Sequence, residues 1–124
     1  MTSQSKDVEL KMLDSQARAV SEQLERVDSS ILEIEYLKNS LDELKSVKEN
    51  SEILAPMSNG IFVKAHVHAV DKLLVNVGGN VIVEKSIEET KELLDEQAKE
   101  MMTARDTLIG QMQKIEDRLM ELEE

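Results

Sequence analysis

The chain has 124 residues, 33% of them charged and 2% aromatic, with no cysteine and a formal net charge of −11. Such a composition suits long helices better than a compact globule, and it excludes disulfides, thiol catalysis and thiolate metal sites. The negative charge works against nucleic acid, whose phosphates need a basic patch, and no apolar run approaches the roughly 18 residues of a membrane span. The opening stretch MTSQSKDVELK has no apolar segment of the kind a secretory leader carries, so a cytoplasmic location is expected.

The first element is a helix over residues 4–50. Its apolar residues fall at Leu10, Leu13, Ala17, Val20, Leu24, Val27, Ile31 and Ile34, in steps of three and four. That is a heptad repeat, and it lines one face of a helix with a seam. After Ile34 a short step to Leu37 re-phases the seam, which continues through Leu41 and Leu44. No proline or glycine precedes Pro56, so the helix is expected to run to about Asn50.

Residues 51–85 change period from heptad to two. Ile61, Val63, Ala65 and Val67 share one face of a strand, while Phe62, Lys64, His66 and His68 share the other. Ser58-Asn59-Gly60 is a turn signal that joins Ser51–Met57 to Ile61–His68 in one hairpin. Gly78-Gly79-Asn80 is a second, bringing Val75 and Val77 opposite Val81 and Val83. Pro56 lacks an N–H and suits the edge or end of a strand. Four short strands in two hairpins are therefore expected between the helices. Isolated hairpins are marginal, and open strand edges are templates for pairing with other chains. The hairpins read as an assembly device.

The last element, over residues 86–124, is a second heptad helix. Ser86 and Glu89 match a capping box at its start. The seam runs through Ile87, Leu94, Ala98, Met101, Leu108, Met112, Ile115, Leu119 and Leu122, with Lys91 and Arg105 in its two polar places. Polar seam residues fix register at a cost in stability. Gly110 lies off the seam and should face solvent. Two seamed helices joined by a structured segment most simply fold back as an antiparallel pair. With Asn50 facing about Ile87, Leu13 lies opposite the last residues and Ser3 to Met12 project past the second helix.

No catalytic constellation emerges. His66-Val67-His68 offers two imidazoles where a zinc site uses three or four ligands, and it shares a face with Lys64, so it reads as solvated surface. Gly78-Gly79-Asn80 lacks the GK[ST] and the following helix of a phosphate loop. The carboxylates are the solvated flanks of heptads. Met101 and Met112 are seam residues, whereas Met12 and Met120 lie off the seam near the free helix ends. Flexible, polarisable methionine suits surfaces that accept many partners.

These features resemble the prefoldin alpha subunit of archaeal type. The resemblance rests on helix, two hairpins and helix in that order, on FVKAHV (Phe62–Val67), and above all on LLVNVGGNVIVEKS (Leu73–Ser86). It covers the whole chain, and the presence of two hairpins points to alpha rather than beta subunits. It implies an α+β fold, a long antiparallel helical coiled coil with two β-hairpins inserted, in a single domain over residues 1–124. The hairpins would form an oligomeric β-barrel platform through Ile61, Val63, Val75, Val77, Val81 and Val83. It further implies a hexamer of two alpha and four beta subunits. This would be an ATP-independent co-chaperone, without cofactor, metal or catalytic residues. Unfolded polypeptides would be held at coil tips made of Val8, Leu10, Met12, Leu13, Leu119, Met120 and Leu122, then delivered to a group II chaperonin. The alternative is a structural coiled-coil scaffold or adaptor with no client-holding activity.

Overall fold

The structure, a computed structural model, describes residues 3–123. It contains α1 (Ser3–Leu44), β1 (Glu52–Ser58), β2 (Ile61–His66), β3 (Leu73–Asn76), β4 (Ile82–Lys85) and α2 (Ile87–Glu123). Two long helices thus flank two small antiparallel hairpins, as the sequence pattern predicts. Among the described residues no helix is long and apolar enough to cross a membrane.

The chain divides into two compact units. One joins α1 as far as Ile34 to α2 from Gln97, and the other is Glu35–Glu96. The first unit is an antiparallel helix pair. Its core is Leu13, Val20, Leu108, Ile115 and Leu122, with Leu10, Ala17, Leu24, Val27, Met112 and Leu119 packed against it. Arg105 lies between Met101 and Leu108 in the seam. It pairs across to Asp28, Nε to Oδ1 at 2.8 Å. Gly110 is exposed, and a Cβ placed there would meet nothing within 4 Å. Glycine in a helix interior costs backbone entropy, so Gly110→Ala should stabilise the chain by about 0.5–1 kcal/mol. A higher denaturant midpoint with an unchanged slope is the expected result.

The second unit holds the end of α1, both hairpins and the start of α2. Ile87, Thr90 and Leu94 are its buried α2 residues. The start of α2 is capped as predicted. The Ser86 amide donates to Glu89 Oε1 at 3.0 Å, and the Glu89 amide donates to Ser86 Oγ at 3.1 Å. These bonds hold the Glu89 carboxyl below its ordinary range. Thr90 satisfies its hydroxyl on the Ser86 carbonyl at 2.8 Å.

Two expectations about α1 need correction. The helix ends at Leu44, short of Asn50. The amides of Lys45, Ser46 and Val47 bond to carbonyls three residues back at 3.1–3.3 Å, a tightening turn, and Asn50 sits at φ 65°. A left-handed residue cannot continue a right-handed helix. Asn50 begins the sheet instead, its amide donating to the Val67 carbonyl at 2.7 Å. Leu37, expected in the seam, is 43% exposed. Its place is taken by Lys38, four residues after Ile34, which carries the heptad on by salt-bridging Asp95. The hydrogen bond that Lys38 donates to Asp95 raises the Lys38 pKa above the usual lysine value. Lys91 pairs with Asp42 at 2.7 Å and Lys45 with Glu88 at 2.6 Å. Lys45, not Asn50, therefore faces the start of α2.

In the first hairpin Asn59 and Gly60 both have positive φ, 49° and 78°, the backbone of a two-residue hairpin turn. Pro56 opposes Phe62 and Ser58 opposes Ile61, which leaves Met57 as an extra, bulged residue. The second hairpin pairs Val75 with Val83, and the Val77 amide donates to the Val81 carbonyl at 3.0 Å. Gly78, at φ 123°, donates its amide to Asn76 Oδ1 at 2.9 Å. The valine alignment read from the sequence is the one observed.

Candidate interaction surfaces

The first surface is the pair of hairpins. Cross-strand partners share a face, so Ile53, Ala55, Val63 and Ala65 line one side of the first hairpin. Leu54, Pro56 and Phe62 line the other, beside Glu52, Lys64 and His66. Ile61, Val63, Leu54 and Phe62 are all exposed. The Phe62 side is therefore not the plain solvated face that Lys64, His66 and His68 suggest. The second hairpin repeats this arrangement. Val75 and Val83 are half-buried and Val77 and Val81 exposed on one side, while Leu74 and Ile82 stand exposed on the other. The consecutive triplets Ile61-Phe62-Val63 and Val81-Ile82-Val83 were the available signal.

His66 has a local role. Its Nδ1 lies 3.2 Å from the Asn50 carbonyl, where α1 gives way to the sheet. Among the described residues no group of three His, Cys, Asp or Glu side chains converges as a metal site would require.

The second surface is the end of the first unit where α1 begins and α2 finishes. Of the seven tip residues named from the sequence, Leu13 and Leu122 are buried in the core, and Leu10 and Leu119 are half-buried against it. Val8, Met12 and Met120 are exposed at 59%, 57% and 66%. A shallow groove lined by Gln4, Ser5, Val8, Glu9 and Met12 runs along α1. The expected projection of Ser3 to Met12 past α2 is also corrected. Cover reaches back at least to Glu9, which is gripped by Arg118 through Nε to Oε1 at 2.6 Å and Nη2 to Oε2 at 3.1 Å. Arg118 Nη1 donates to Glu121 Oε2 at 2.8 Å. This two-point grip has no signature in a heptad pattern, because Glu9 and Arg118 are both flanking residues. Only the pairing of the helices brings them together.

The grip sets a pH dependence. The hydrogen bond from Arg118 holds the Glu9 carboxyl below its ordinary value of 4.5. A lowered carboxyl stabilises the fold fully above that ordinary value and ceases to do so as pH falls through the lowered one. The coupling between Glu9→Gln and Arg118→Gln in a double-mutant cycle should be full at about pH 7 and should diminish as pH falls below the ordinary carboxyl value. Thermal melts of the four proteins over a series of falling pH values provide the check.

Helix, hairpin, hairpin and helix, with free strand edges on the hairpins and exposed apolar residues at the ends of the helices, define a protein of the helical coiled-coil class. The Prefoldin subunit family model matches residues 13–124. The chain is 30% identical over 115 residues to the prefoldin subunit alpha of Pyrococcus horikoshii, covering 92% of this chain and 78% of the relative. It is 32% identical over 111 residues to that of Methanococcoides burtonii, covering 90% and 80%. It is 28% identical over 109 residues to that of Methanobrevibacter smithii, covering 88% and 74%. The filamentous PFD of Methanocaldococcus jannaschii, seen by cryo-electron microscopy, shares the fold with a TM-score of 0.86. That likeness is at 22% identity and covers 94% of this chain and 96% of the other. The chain belongs to the prefoldin family, a chaperone family built on helical coiled coils, and its curated relatives are archaeal alpha subunits.

Proposed function

We propose that the chain is the alpha-type subunit of a cytoplasmic, ATP-independent co-chaperone. It acts as one domain, holds unfolded polypeptides at the ends of its helices and passes them to a group II chaperonin. Its partners are beta-type subunits, in a hexamer of two alpha and four beta chains, and its hairpins build the barrel platform that joins them. It needs no cofactor and performs no catalysis. The observation that carries the reading is the exposure of Val8, Met12 and Met120, each near the end of its helix in the first unit. Exposed aliphatics that the fold does not require mark an interaction site. Each tip offers little by itself, but several tips on one platform would hold a non-native chain by multivalency. The experiment is light scattering of a denatured protein diluted into the assembled complex without nucleotide. Suppressed aggregation is the expected result. No protection across several unrelated clients would favour a scaffold that only spaces other proteins.

A further inference from the structure

The chain has seven methionines, and the fold sorts them. Met101 and Met112 are half-buried along α2, with Met112 packed against the core of the first unit. Met12 and Met120 stand 57% and 66% exposed, on different helices of that unit. Glu9 is one helical turn before Met12, and Arg118 lies within the turn that carries Met120, so the Glu9–Arg118 grip keeps the two thioethers at the same end of the helix pair. Both neighbour the core residues Leu13, Leu119 and Leu122 in sequence, yet neither contributes a buried side chain to that core. Their oxidation would cost the fold little and the exposed apolar surface a great deal.

We propose that Met12 and Met120 are two reversible oxidation sites whose conversion weakens client holding when a peroxide is present. This rests on the client-holding reading given above. The thioether sulfur attacks one oxygen of hydrogen peroxide, the O–O bond breaks, and an S–O bond forms. The sulfur is oxidised by two electrons, the peroxide is reduced, and water leaves. The product sulfoxide is polar and chiral where the thioether was flexible and apolar, and methionine sulfoxide reductases reverse it. Conversion at both positions makes these two exposed side chains polar and leaves Val8 as the exposed apolar residue beside Met12 on α1.

The test treats the assembled complex with hydrogen peroxide and follows each methionine by peptide mass spectrometry. Protection of a denatured client is measured before treatment, after it, and after a sulfoxide reductase. Met12 and Met120 should gain oxygen severalfold faster than Met101 and Met112, and protection should fall with them and return on reduction. The helical circular dichroism signal and the number of subunits in the complex should not change. Each variant is compared with its own untreated sample. The Met12→Leu/Met120→Leu protein should lose a much smaller fraction of its protection, while a Met57→Leu/Met102→Leu protein should lose as large a fraction as the wild type. Equal fractional loss in the Met12→Leu/Met120→Leu protein overturns the proposal, as does oxidation of Met101 and Met112 at the same rate. An untreated complex that protects no client instead overturns the holding function itself. The proposed consequence of oxidation falls with it, although the order of oxidation still reports whether the two sites exist.

Discussion

Replacing Val75 or Val81 by aspartate should break the complex into small species while the helical signal survives. Val75 pairs with Val83 in the second hairpin and is half-buried even within a single chain. Val81 is 54% exposed there and lies on the same side, which the chain leaves largely uncovered. Once another subunit covers that side, a carboxylate is left buried and unpaired, at a cost of several kcal/mol. The helix pair of the first unit draws its core from Leu13, Val20, Leu108, Ile115 and Leu122, whereas Val75 and Val81 belong to the other compact unit. Mass measurement of each variant co-expressed with a beta-type partner is the check. An intact hexamer in both variants would show that the helices, and not the hairpins, hold the assembly.

The triple change Val8→Ser, Met12→Ser and Met120→Ser should remove most client protection without dissociating the complex. Removing residues 1–12 and 119–124 outright would be a blunter experiment. It deletes Leu10, Leu119 and Leu122, which pack the end of the first unit, and it takes Glu9 and Glu121 from Arg118. The three exposed residues can be changed with the packed ones left in place. A fully buried aliphatic or methionine side chain contributes roughly 1.5–3 kcal/mol, so losing three such anchors from each tip should raise the client dissociation constant by orders of magnitude. Light scattering with intact and triple-variant complexes side by side reads the outcome. Equal protection by both would move the client surface elsewhere on the helices.

The heptads, the capping box and the hairpin turns are legible in the sequence because each is a local property of the backbone. Leu13, Val20 and Leu122 are buried where the spacing puts them, and Ser86 and Glu89 exchange the two bonds that their separation allows. Asn59-Gly60 and Gly78-Gly79-Asn80 have the positive φ values that turn chemistry requires. The Val75–Val83 register follows from the turn it flanks. None of these needs information from a distant residue.

What only the tertiary structure decided is which distant residues meet. One step of three residues past Ile34 makes Leu37 a reasonable seam residue, yet Lys38 takes the place because Asp95 stands opposite it. Arg105 and Lys91 sit in an apolar repeat because Asp28 and Asp42 receive them. The end of α1 is set by Asn50 bonding to Val67, and Glu9 is covered because Arg118 reaches it. The tip residues divide into buried and exposed on the same principle: Leu13 and Leu122 find a partner helix, whereas Val8, Met12 and Met120 face away from it. Periodicity fixes which face of a helix or strand is apolar, since the backbone repeats every few residues. The partner of that face, and therefore which apolar residues remain for other proteins, depends on chain pairing across scores of residues, which no local period encodes.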